Sequence, residues 1–174
     1  MKLDKIANSK NDEFYTPLYA VEPLLKYIPP KSTVWCPFDT DKSIIVSALT
    51  NHGCNVSYSH IEMGEEFNFF NMQPRQCDFI ISNPPYSLKT QILNKLFETG
   101  IPFAMLLGVV GLFESEKRFS LFEKYTHEIM WMNKRIAYFK NYDEPKPSLN
   151  PPFSSVWLTS KVLPEKNVFE RIKK

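Results

Sequence analysis

Glycine is scarce in this chain: 5 of 174 residues, where average usage of about 7% would give roughly 12. None occurs between residues 31 and 52. The tight turns with positive φ that glycine favours are therefore not expected there. No apolar run approaches the ~18 residues a membrane span needs; Pro102 to Leu112 is apolar but too short. Cys36, Cys54 and Cys77 are odd in number, far apart and without CxxC spacing. That excludes a disulfide framework and a cysteine zinc site, and it fits a reducing compartment. His52, His60 and His127 show no metal-ligand spacing either. Met1-Lys2-Leu3-Asp4-Lys5 offers no apolar stretch, so no secretory signal is expected. Internal repeats, low-complexity tracts and a second-domain boundary are all missing.

What is present is the composition of about one folded domain, 43% hydrophobic and 23% charged, which rules out disorder, collagen-like repeats and coiled coil. Aromatics reach 14%. Charge is uneven. Residues 1–130 hold 12 Lys/Arg against 15 Asp/Glu, and residues 131–174 hold 9 against 4. The basic C-terminal quarter, with Lys134, Arg135, Lys140 and Lys146, suits a phosphate backbone or a solvated basic face.

Punctuation along the chain predicts alternating strands and helices. Residues 1–13 read as a loose arm, 14–164 as one catalytic-type domain, and 165–174 as a basic tail. Thr16-Pro17 reads as a helix start for Leu18 to Ile28. Thr33 to Phe38, Asn55 to Ile61 and Cys77 to Ser82 read as strands. Asp41 reads as the cap of a helix whose Ile44, Ile45, Ala48 and Leu49 share one face. Ser87 and Ser115 read as caps of two further helices, the first ending at Gly100. Glu128 to Met132 and Ser154 to Val162 complete the strands, separated by a proline-rich loop over 140–153. Phe69, Phe70 and Trp131 read as core. The pattern predicts an α/β fold: a single Rossmann-like, doubly wound, mostly parallel sheet. The last two strands, joined by a loop, are expected as an antiparallel C-terminal hairpin at the sheet edge. In such sheets ligands bind beyond the carboxyl ends of the strands. That rule selects the loops after Phe38, Ile61, Ser82 and Leu112.

One of these loops is Asn83-Pro84-Pro85-Tyr86, directly after an apolar strand. Two prolines stiffen the turn and remove two backbone donors. An asparagine oxygen and a proline carbonyl can together accept both protons of a planar amine. The tyrosine ring can stack on the ring bearing that amine. The bland alternative is a proline-rich turn that only leads into a helix.

Asn83-Pro84-Pro85-Tyr86 resembles the catalytic motif of S-adenosylmethionine-dependent amino methyltransferases, and the chain resembles the small phage-type DNA N6-adenine methyltransferases. Asp12-Glu13-Phe14-Tyr15-Thr16-Pro17 looks like their N-terminal cofactor motif, and Trp35-Cys36-Pro37-Phe38-Asp39 like the first cofactor strand. Glu62 stands where the family carries an acid for the ribose hydroxyls. Gly64-Glu65-Glu66-Phe67 resembles the segment at the cofactor adenine, and Asn150-Pro151-Pro152-Phe153-Ser154-Ser155 the motif near the target base.

The resemblance implies the class I methyltransferase fold, S-adenosylmethionine as cofactor, adenine in DNA as substrate and no metal. It further implies catalytic Asn83, Pro84, Pro85 and Tyr86, and cofactor contacts from Tyr15, Thr16, Pro17, Pro37, Phe38, Asp39, Glu62 and Phe67. Asp39 or Asp41 would meet the cofactor ammonium, Asp41 being equally readable as a helix cap. Phe139 or Phe153 would wall the base, and Lys134 and Arg135 would hold DNA. A cytoplasmic location is implied, in a bacterial host if the chain is phage-encoded, with no membrane partner. The loop Phe38 to Ser43 lacks the family's glycine, so cofactor binding is expected to be micromolar or weaker, on the order of −8 kcal/mol. Nothing has room for a target-recognition domain, so sequence specificity is expected from short loops, from a protein partner or homo-oligomer, or not at all. RNA adenine, protein glutamine and a non-catalytic binding role are the alternatives.

Overall fold

The structure is a computed structural model and describes residues 14–139, 147–149 and 151–174. In chain order the elements are α1 (Leu18–Leu25), β1 (Thr33–Cys36), α2 (Ile44–Asn51), β2 (Asn55–Tyr58), β3 (Phe79–Ser82), α3 (Lys89–Thr99), β4 (Phe103–Gly108), α4 (Glu116–Lys124), β5 (Glu128–Met132), β6 (Tyr138–Phe139), β7 (Pro147–Leu149), β8 (Ser155–Ser160) and β9 (Asn167–Glu170). Seven strands form one sheet in the order β2-β1-β3-β4-β8-β5-β9, and β6 and β7 form a separate antiparallel ribbon.

The side-chain alternation of the strands builds two apolar layers. On β4, Phe103, Met105 and Leu107 face α3 with its Ile92, Leu93, Leu96 and Phe97. Ala104 and Leu106 face the opposite way, toward Ala20, Val21 and Leu24 of α1 and Ile45 and Leu49 of α2. The two-residue period of a strand makes that division automatic. A sheet covered on both faces explains why every residue of β4 and β8 is buried.

Pairing is parallel between β1 and β2, β1 and β3, β3 and β4, and β5 and β9. The chain places β2 on one side of β1 and then β3 on the other. That reversal leaves a crevice beyond the carboxyl ends of β1 and β3, the usual ligand position in open α/β sheets. The mostly parallel α/β sheet expected from the sequence is therefore the fold observed.

Several local expectations are corrected. β8 does pair antiparallel with β5, but it also pairs antiparallel with β4, so it lies inside the sheet and not at its edge. A hairpin pattern in sequence is the same in either place; only the burial of both faces of β8 separates them. The edge beyond β5 belongs to β9, drawn from the segment read as a basic tail. There Glu170 accepts from Lys26 and Tyr27, and Ile172 is buried. The strand expected through Ile61 ends at Tyr58. The helix after β1 begins behind Ser43, with Asp41 exposed and outside it. The helix after Asn83-Pro84-Pro85 begins at Lys89, preceded by a 3-10 turn over Tyr86–Leu88, so Ser87 is not its cap. Part of the proline-rich stretch is β7. The arm 1–13, Lys140, Lys146 and Asn150 lie outside the described residues.

Trp157 joins the two halves of the sheet to α1. It is fully buried, and its indole N–H donates to the Ala20 carbonyl at 2.8 Å. Trp157→Ala is expected to cost about 3–5 kcal/mol of unfolding free energy, measured by urea denaturation. A loss under about 1 kcal/mol would show that the sheet centre is not tightly packed.

Candidate functional site

A cleft of about 320 Å³ opens at the reversal between β1 and β3. That is at the small end of ligand-sized pockets. Its walls come from Phe14 to Thr16, Pro37 to Thr40 with Lys42 and Ser43 but not Asp41, His60 to Glu62, Asn68 to Phe70, Asn83 to Pro85, and Leu88.

Its floor is a buried carboxylate. Asp39 accepts hydrogen bonds from the hydroxyls of Ser43 and Ser82, one on each carboxylate oxygen. Ser82 also accepts from the Phe38 N–H at 3.2 Å. These bonds fasten the loop after β1 to the end of β3. The loop needs no left-handed residue: among the described non-glycine residues, positive φ occurs only at Lys31 and Lys161. Serine hydroxyls do here what a glycine turn does elsewhere. Burial pushes the Asp39 carboxyl up to about 6, against the opposing pull of the two serines and of His60.

Asn83 is the next residue after Ser82. Its amide nitrogen donates to the Phe14 carbonyl and to Thr16 Oγ1 at 3.0 Å. A backbone carbonyl only accepts, so the orientation of the amide is chemically forced. The side-chain oxygen is consequently the free end. It is buried and, among the described residues, has no hydrogen-bond partner. A buried acceptor left this way costs about 1–3 kcal/mol, which a ligand donor would recover.

Beside Asn83 stands an aromatic slot. Tyr86 and Phe153 meet at 5.9 Å in an edge arrangement. Tyr138 is buried under them, its hydroxyl 3.1 Å from that of Tyr86 and 2.7 Å from Ser155 Oγ. Burial pushes the Tyr138 hydroxyl up to about 12, so it stays protonated and serves as a fixed link. Gly108 closes the slot: a Cβ there would stand 2.9 Å from the Phe153 ring and 3.3 Å from that of Tyr86.

Most residues singled out from the sequence gather here. Tyr15, Thr16, Pro37, Phe38, Asp39, Glu62, Asn83, Pro84 and Pro85 line the cleft, and Tyr86 and Phe153 form the slot. Pro17 caps α1 and does not line the cleft. Phe67 does not line it either; Phe69 and Phe70 take the aromatic wall, although both read as core from sequence. Phe69 is in fact both, packed on Trp35 and Phe38. Phe139 exchanges backbone hydrogen bonds with Tyr15, tying the segment before α1 to β6. Lys134 and Arg135 are exposed in the bend after β5, which points the same way as β4 and so ends on the side of the cleft.

Thr40, Lys42 and His60 also line the cleft, and Phe14, expected only as part of the Asp12-to-Pro17 motif, does so as well; Tyr138 and Lys95 support the site from outside the residues expected for it. The Lys95 ammonium donates to the carbonyls of Phe69, Phe70 and Met72, holding that wall in place. A lysine on a helix face carries no sequence signal for such a role. Ser82 lies 43 residues from Asp39 in sequence, and only the pairing of β1 with β3 brings its hydroxyl to that carboxylate.

The residues suit a cofactor that combines a flat ring, a diol, an ammonium and a carboxylate. Phe38, Phe69 and Phe70 offer ring contacts, Glu62 a diol acceptor, Asp39 an anion for the ammonium, and Lys42 a cation for the carboxylate. Among the described residues no cluster of His, Cys, Asp and Glu has the make-up of a metal site. No helix among them is long and apolar enough to cross a membrane.

No family model matches the chain, and no curated protein matches it significantly. Solved structures do match. One is described as a modification subunit of a type I restriction enzyme from Vibrio vulnificus YJ016, with a TM-score of 0.59 and 12% identity. The match covers 98% of this chain and 49% of that one, so this chain spans about half its length. At that identity the likeness establishes a shared fold.

The Asp39 carboxyl yields a pH test. Because its folded value is raised, its contribution favours folding below about pH 4 and is lost as pH rises through 6. Between pH 4 and 7 wild type should lose about 2 kcal/mol relative to Asp39→Asn, read as the difference between their denaturation curves. Parallel pH profiles would mean that Asp39 is not desolvated.

Proposed function

We propose that the protein is an S-adenosylmethionine-dependent methyltransferase acting on the N6 amine of adenine in DNA. The observation that carries this reading is the buried Asn83 oxygen, without a hydrogen-bond partner among the described residues, between the cleft and the slot of Tyr86 and Phe153. A planar ring with an exocyclic amine suits both features at once. The ring stacks on Tyr86, and the amine donates to Asn83 and to the Pro84 carbonyl. The likeness to a restriction-system modification subunit fits DNA as the substrate.

The bound cofactor would supply an electrophilic methyl group on its sulfonium. The chain's own residues supply orientation. Asn83 and Pro84, by accepting the amine's protons, draw its nitrogen toward tetrahedral geometry and free the lone pair. Asn83 is itself held by Phe14 and Thr16, so little is reorganised during reaction. Tyr86 is fixed through Tyr138 and Ser155. An adenine must leave the helical stack to reach this slot, at a few kcal/mol, which stacking on Tyr86 offsets by about 1–3 kcal/mol.

The test is transfer of labelled methyl from S-adenosylmethionine to adenine-containing DNA, with RNA and a glutamine-bearing protein as controls. Asn83→Ala should lower the rate about 10²–10³-fold with cofactor affinity nearly unchanged. Tyr86→Ala should weaken productive base binding by about 1–3 kcal/mol, and Tyr86→Phe should be tolerated because the ring does the stacking, although it loses the bond to Tyr138. A rate that survives Asn83→Ala undiminished, or activity on the controls alone, would overturn the assignment.

Lys134 and Arg135 are proposed phosphate contacts. Each should add roughly −0.9 to the log–log salt slope of duplex DNA binding. Reversing both charges should weaken binding equally for unrelated sequences and make the slope shallower by about 2. An unchanged slope assigns both to solvent.

A further inference from the structure

The slot is already filled by a flat ring. Phe14 stacks on Tyr86 with centroids 5.2 Å apart and planes 25° from parallel. It meets Phe153 edge-on at 5.9 Å and 84°, and lies 5.2 Å from Tyr138. Phe14 also lines the cleft, so its ring stands between the cleft and Tyr86. One face-stacked neighbour and one edge-on neighbour is the environment a single aromatic guest prefers.

As a guest, though, Phe14 is incomplete. Its backbone carbonyl takes up the Asn83 nitrogen, but its ring has no N–H to offer the Asn83 oxygen, which is buried and has no partner among the described residues. Burying an acceptor this way is unfavourable. A ring carrying an amine would stack as Phe14 does and also donate to that oxygen. The backbone of this segment is tied by bonds between Tyr15 and Phe139 and by those from Asn83 to Phe14 and Thr16; rotation of the Phe14 side chain about its Cα–Cβ bond moves the ring and leaves those bonds in place.

We infer that Phe14 is a placeholder for the target base, competing with it for the stacking face of Tyr86. This rests on the reading that the slot receives a base. A paired adenine must leave its stack and displace Phe14, whereas an adenine in single-stranded DNA faces the second cost alone, so a single strand isolates the competition with Phe14.

The experiment compares fluorescein-labelled single-stranded DNA holding one adenine with the same strand holding an abasic site there. The ratio of their affinities, by anisotropy, isolates the slot. Phe14→Ala should raise that ratio about 2- to 10-fold, the range that follows from the worth of an aromatic pair. Phe14→Trp, with a larger ring, should lower it. A ratio that is unchanged or falls in Phe14→Ala makes Phe14 a permanent wall and overturns the inference. Tyr86→Ala separates the two levels. If it lowers the ratio while Phe14→Ala does not raise it, only the placeholder fails. If neither change moves the ratio, the slot does not take a base and both readings fail. Wild-type protein gives an independent measure. Adding the adenine strand, but not the abasic one, should increase hydroxyl-radical oxidation of Phe14, and protection of Phe14 would overturn the inference.

Discussion

The site depends on one buried carboxylate. Asp39 receives a hydroxyl from Ser43 in its own loop and another from Ser82, 43 residues further on. Those two bonds join the chain leaving β1 to the chain leaving β3, at the point where the order of strands reverses. They set the floor of the cleft and fix where Asn83 begins. Desolvating a carboxylate is costly, and the raised Asp39 value records that cost. In return the loop is held without a single left-handed residue, which a chain with 5 glycines requires.

From that anchor the rest of the site follows by contact. Asn83 leaves the sheet with its nitrogen tied to Phe14 and Thr16, and this leaves its oxygen as the acceptor. Tyr86 is oriented by Tyr138, Tyr138 by Ser155, and Ser155 is the first residue of buried β8. The insertion of β8 between β4 and β5 therefore has a functional consequence. It brings Phe153, just before β8, against Gly108 at the end of β4, where the absent Cβ lets the rings approach. Polar orientation comes from the β1–β3 side and aromatic orientation from the β4–β8 side.

The sequence was legible where function is written contiguously. Asn83-Pro84-Pro85-Tyr86 is one short stretch, and the strand before it is a continuous apolar run, so its place at a strand end could be read directly. The alternation of strands and helices likewise disclosed the α/β sheet. What could not be read depends on long-range pairing. An antiparallel strand looks the same at an edge as in the interior, which concealed the place of β8. β9 is four residues long and exposed at every other position, and only pairing with β5 makes it a strand. Phe67 and Phe69 differ by two residues, and the 3-10 turn over Glu65–Phe67 decided which ring reached the cleft. Asp41 and Ser43 both had the chemistry of a helix cap, and the Asp39 tie took Ser43 to the helix start.

In the proposed reading the cleft beside Asp39 takes S-adenosylmethionine next to the Asn83 oxygen. Calorimetric titration of the protein with S-adenosylmethionine should show saturable binding of one molecule per chain at micromolar or weaker affinity. Glu62→Ala should weaken it about tenfold or more, the worth of a hydrogen bond to a charged acceptor. No heat and no thermal shift at millimolar cofactor, with DNA present, would contradict the account.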